Sequence, residues 1–110
     1  MKKYKLPDMS TFSRAVCTYI LGGNSYNFRF VWCDSFFLMD MFLTKSEEAE
    51  DILTGIPLIL GFDFLNRVSK PDIINGKLYL INKAGKEESP SPENLSSDFE
   101  FVYYEDDESI

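Results

Sequence analysis

Residues 12–32 read FSRAVCTYILGGNSYNFRFVW, and their period sets the architecture. Phe12 to Leu21 is rich in β-branched and aromatic residues, the composition of a strand. Gly22-Gly23-Asn24-Ser25 is a turn cluster, and Tyr26 to Trp32 follows with rings at 26, 28, 30 and 32. A period of two on both sides of a short glycine turn predicts a β-hairpin. With Gly23-Asn24 as the turn, Tyr26 faces Leu21, Phe28 faces Tyr19, Phe30 faces Cys17 and Trp32 faces Ala15. Large rings then lie opposite smaller residues towards the open end. Arg14, Thr18, Asn27 and Arg29 share the other face with Val16, Ile20 and Val31, so that face is the wetter one.

Working outward, Cys33-Asp34-Ser35-Phe36 reads as a second tight turn. Phe36 to Leu43 is apolar on both faces except at Asp40, which predicts a central or doubly covered strand. With Asp34-Ser35 as the turn, Trp32 faces Phe37, Phe30 faces Met39 and Arg29 faces Asp40. A lone carboxylate in an apolar strand needs a cation beside it. Arg29 and Asp40 are therefore expected to form a structural ion pair.

Thr44 to Asp51 is polar and acidic and reads as an exposed loop or one helical turn. Ile52 to Leu60 is apolar but carries Gly55 and Pro57, which predicts a strand with a break, a bulge or an edge position. Gly61 precedes a short helix or turn over Phe62 to Val68, and Pro71 to Gly76 is a turn region. Lys77 to Asn82 reads as a strand, and Lys83 to Ser97 as a loop with one helical turn at Pro92-Glu-Asn-Leu95. Asp98 to Tyr104 is the last strand, with Phe99, Phe101 and Tyr103 on one side. The expectation is a mainly β fold: a small antiparallel barrel or sandwich of about six to seven short strands with minor helical turns.

A chain of 110 residues is one domain by length, read as a β-rich unit over 1–105 and an acidic tail over 106–110. Aromatic residues make up 15%, a heavy load for a small core. Rings left over from the core are candidate anchors for a partner. The net charge is −7 and is unevenly spread. The first thirty residues carry five cations against Asp8, whereas residues 84–110 carry nine carboxylates against Lys86. The acidic end argues against nucleic acid, because phosphates would be repelled. No apolar run approaches the ~20 residues needed to cross a bilayer, so no membrane partner is expected. Without a signal peptide, synthesis in a cytoplasm is expected.

The sequence holds no histidine, and Cys17 and Cys33 have neither metal spacing nor a neighbouring base. In the hairpin register they do not face one another, so no disulfide is expected. Asp40 and Asp63 are isolated carboxylates. The rings at 26, 28, 30 and 32 suggest a base-stacking platform, but such a platform needs a basic groove, and the charge has the wrong sign. These patterns favour a non-enzyme without cofactors that works by presenting surfaces.

The order of pieces resembles the small baseplate plug family of contractile-tailed bacteriophages. The pieces are Tyr26 to Trp32, Phe37-Leu-Met-Asp-Met-Phe42, Thr54-Gly-Ile-Pro-Leu-Ile-Leu-Gly61, Gly76 to Ile81, Pro92 to Leu95, and Phe101 to Glu105. They span roughly Tyr4 to Glu105, most of the chain. Two points depart from the pattern: Ser96 stands where a glycine is expected after Leu95, and the turn after Trp32 opens with Cys33-Asp34 rather than asparagine. With the ion pair, the phrases mark Trp32, Arg29, Asp40, Gly55, Pro57, Leu58, Gly61 and Gly76 as structural positions. The resemblance implies a virion protein of the tail baseplate, from a phage, a prophage or a related contractile particle. It implies a plug at the axial centre, in symmetric multiple copies, against hub, spike and tube-initiating subunits. A non-viral small β-barrel adaptor explains the composition equally well and leaves the phrase order unexplained.

Overall fold

The computed structural model describes residues 1–45, 48–67 and 76–105. Its strands are β1 (Lys2–Lys5), β2 (Arg14–Leu21), β3 (Asn24–Trp32), β4 (Phe37–Lys45), β5 (Glu48–Pro57), β6 (Lys77–Asn82) and β7 (Phe99–Tyr104). A 3-10 turn covers Phe64–Arg67, and one helical turn, α1, covers Leu95–Asp98. β2-β3-β4-β5 form a four-stranded antiparallel sheet, and β1-β7-β6 a three-stranded one. The two sheets pack as a sandwich and do not close into a barrel.

The first hairpin turns one residue earlier than the sequence suggests, which slips the strand register by two. Leu21 pairs with Asn24, so Gly22 and Gly23 are the turn, with φ of 59° and 87°. Two consecutive positive φ values suit the type I′ turn that matches strand twist, and glycine adopts them without steric cost. Asn24 joins β3 instead. The pairs are accordingly Tyr26 with Tyr19, Phe28 with Cys17 and Phe30 with Ala15. Both faces survive this correction, because a slip of two preserves the side-chain alternation. The second hairpin has the expected register, with Trp32 opposite Phe37, Phe30 opposite Met39 and Arg29 opposite Asp40.

Two further expectations change. Among the described residues, the polar stretch from Thr44 is strand rather than loop: Phe42 to Lys45 pair with Asp51 to Glu48. β1, which the sequence reading passed over, pairs with β7 from Lys2–Tyr103 to Lys5–Glu100. Most of the Pro71 to Gly76 turn and the tail at 106–110 lie outside the described residues.

The core lies between the sheets. Tyr26, Phe28, Phe30, Phe37, Met39 and Met41 enter from the four-stranded sheet, and Leu78, Leu80, Phe99, Phe101 and Tyr103 from the other. Phe101 is the hub, with ring centroids of Tyr19, Phe28, Phe30 and Phe64 at 5.7, 5.7, 6.0 and 6.1 Å. Edge and tilted contacts at these distances suit the ring quadrupole.

Candidate interaction surfaces

The Arg29–Asp40 pair sits on the outer face of the four-stranded sheet. Asp40 Oδ2 accepts from Arg29 Nε at 2.8 Å and lies 2.7 Å from Arg29 Nη2. Its Oδ1 accepts from the Gly55 backbone N–H at 2.7 Å. One carboxylate thus ties β3, β4 and β5 together. Gly55 is where β5 bulges: Met39 pairs with Ile56 but Met41 with Leu53, so two residues of β5 oppose Asp40 alone. Gly55 is the second of those two residues, and its left-handed φ of 64° is one that glycine adopts without steric cost. Arg29 also lies over the Phe42 ring, 5.8 Å from its centroid.

The other residues singled out in the sequence serve separate places. Trp32 is half-buried, 4.8 Å from the Phe37 ring. Pro57 ends β5 opposite Leu38, and the Leu58 N–H continues the ladder to the Phe37 carbonyl at 3.0 Å. Gly61 N–H donates to Leu80 at 3.3 Å, beside the parallel bridge of Leu60 with Leu80. The chain crosses there from one sheet to the other. Gly76 has φ of 123°, and a Cβ there would collide with the Tyr104 carbonyl and the Tyr103 ring.

Two devices escaped the sequence reading. Asp63 Oδ1 accepts from the N–H groups of Leu65 and Leu78, both at 3.1 Å, docking the 3-10 turn onto β6. Tyr4 and Tyr19 bridge the seam between β1 and β2 through hydroxyl-to-carbonyl bonds. Burial raises the Tyr4 and Tyr19 hydroxyls above the ordinary tyrosine value, with the Glu105 charge a lesser cause at Tyr4.

The surplus rings can now be placed. Tyr26, Phe28 and Phe30 are fully buried, so no stacking platform exists at those positions. The large exposed rings among the described residues are Phe12 (65%) and Phe36 (47%). Both flank the Trp32 end of the four-stranded sheet, since Trp32 N–H bonds Ser13 and Cys33 N–H bonds Phe36. Val16 and Ile20 add aliphatic surface on β2. A groove of about 400 Å³ lies on the outer face of the other sheet, floored by Tyr79, Ile81, Val102 and Tyr104. Cys17 and Cys33 are free thiols, and burial raises the former's pKa. Among the described residues, no cluster of three or more His, Cys, Asp or Glu could hold a metal. No described helix is long and apolar enough to cross a membrane.

Residues 4–107 match the family described as the cyanophage baseplate Pam3 plug gp18. The chain belongs to that family. The match takes in both sheets, so the baseplate plug family accounts for the whole fold and not for one hairpin. No curated protein matches the chain. As a baseplate plug family member it is a structural protein of the phage tail baseplate, in contact with other baseplate components. Its exposed rings, aliphatic strand face and groove are the surfaces available for such contacts.

Proposed function

We propose that this chain is the central plug of a contractile tail baseplate, binding hub, spike and tube-initiating subunits during assembly. It is made in the host cytoplasm and enters the virion in symmetric multiple copies. The observation that carries this reading is the family match from residue 4 to residue 107. The surfaces support it. Phe12, Phe36 and the half-buried Trp32 gather at one end of a sheet, and aromatic residues are favoured anchors at protein interfaces. A non-viral adaptor accounts for these surfaces but not for the match.

Mass spectrometry of tail particles purified after DNA-damage induction tests the proposal. The expected result is this chain at a few copies per particle, fewer than the sheath or tube subunits. Intact contractile tails that lack it would overturn the reading.

A further inference from the structure

The sandwich has four sheet edges, and three of them are blunted. β1 is four residues long and carries Lys2, Lys3 and Lys5. β5 is interrupted by register shifts and ends on Pro57. β6 is covered by the Leu60 bridge, the Gly61 bond and the docked 3-10 turn. Short length, charge, bulges, proline and cover are the usual means by which an edge avoids pairing with another chain.

β2 lacks the short length, the bulge and the proline; its one charge is Arg14, and the Tyr4 hydroxyl meets its backbone at Ile20. Its eight residues pair with β3 without a register shift. Leu21 and Asn24 close a two-residue turn, so the odd-numbered residues of β2 exchange backbone bonds with β3. The bond from Trp32 N–H to the Ser13 carbonyl follows the same parity. The backbone groups of Arg14, Val16, Thr18 and Ile20 therefore point away from the sheet. The Ile20 carbonyl does so visibly, because it accepts the Tyr4 hydroxyl. Among the described residues, no backbone hydrogen bond reaches Arg14, Val16 or Thr18 from that side. The side chains of Val16 and Ile20 are 60% and 55% exposed, and Phe12 leads into the strand.

We propose that β2 receives an extended strand from another baseplate protein, adding a fifth strand to the four-stranded sheet. This rests on the baseplate role proposed above. The unpaired ladder specifies an extended backbone, and Val16 and Ile20 specify apolar side chains at alternate positions. Arg14, which has no ion-pair partner among the described residues, specifies a carboxylate near the start of β2. A second copy fits poorly. Pairing β2 with itself would offer Arg14 no carboxylate, since β2 holds none, and would join two chains of net charge −7.

Val16→Pro is the sharpest probe. The outward N–H of Val16 takes no part in the β2–β3 ladder, so the variant removes a donor from the edge alone. Tail particles assembled with the parent chain or with this variant are compared by mass spectrometry. Amide exchange of the parent chain is read free and in particles. The expected result is parent chain in particles, a loss of about tenfold or more for the variant, and slowed exchange at Val16 and Thr18 only in particles. Should the variant fail to fold, the exchange of the parent chain alone decides. Parent chain in particles with those two amides still exchanging freely overturns the added strand and leaves the plug role intact. Parent chain absent from intact tails overturns the baseplate role, and the source of the strand with it. Sedimentation of the free chain as a dimer with Val16 and Thr18 protected overturns the choice of partner in favour of a second copy.

Discussion

Tyr4 and Tyr19 each donate a hydroxyl proton to the carbonyl of the residue that follows the other. Tyr4 bonds Ile20 at 2.5 Å and Tyr19 bonds Lys5 at 2.7 Å, with the two rings edge to face at 5.5 Å. Tyr19→Phe keeps the ring and removes one bond, leaving the Lys5 carbonyl without that donor. The expected loss is about 1–2 kcal/mol in denaturant unfolding. A variant as stable as the parent would show that the bond does not hold the seam.

The same pair makes stability sensitive to alkali. Both hydroxyls are held above the ordinary value of 10.0 in the folded chain. A raised folded pKa means that the native state keeps a proton which the unfolded chain gives up. The contribution is fully present below about pH 10 and is lost as pH rises towards the folded value. Unfolding midpoints measured from pH 8 to 11 are expected to fall above pH 10, and to fall less steeply for Tyr19→Phe. Parallel curves would remove Tyr19 as the cause.

Asp40 joins three strands through one carboxylate, so its replacements should differ in degree. Asp40→Ala strands Arg29 and the Gly55 N–H and is expected to cost about 1–2 kcal/mol, since Arg29 is part-exposed and screened by solvent. Asp40→Asn retains an acceptor for Gly55 and is expected to cost about half as much. Thermal melting of the two variants checks the order. A parental melting temperature for Asp40→Ala would refute the pairing argument.

Gly76→Ala is expected to be the harshest single change outside the core. It combines a left-handed backbone with collisions at the Tyr104 carbonyl and the Tyr103 ring, for about 3 kcal/mol or more. Gly61→Ala shares the positive φ but meets open space, for about 1–2 kcal/mol. Equal losses would mean that backbone strain, not the close approach, sets the cost.

Phe12 and Phe36 are exposed at one end of the sheet, so replacing both with serine should leave folding within about 0.5 kcal/mol of the parent. Incorporation into tail particles is expected to drop severalfold. Unchanged incorporation would place the contact elsewhere on the sandwich.

The legible parts of the fold are those that alternation alone controls. Tyr19, Tyr26, Phe28 and Phe30 fall on the inner face whichever turn residues are chosen, because a slip of two leaves parity unchanged. The Arg29–Asp40 pairing was legible because the lone carboxylate in β4 had one cation opposite it. What escaped depends on distant partners. Lys2 to Lys5 reads as a charged leader until β7 lies beside it, and Glu48 to Asp51 reads as a loop until β4 pairs with it. Asp63 acquires its role only when the chain crosses to β6. The exposed rings were equally hidden. Phe12 and Phe36 differ from Phe37 by their place relative to a turn, not by composition.

Phe101 gathers rings from both sheets onto one inner hub, while Arg14, Val16, Thr18 and Ile20 all face away from it. Residues that hold the fold and residues proposed to meet a neighbour therefore alternate along the same strand. A phage lineage can rewrite every second position of β2 to follow a changing neighbour and leave the scaffold untouched. Drift in the docking face and persistence of the fold are separate degrees of freedom in this chain.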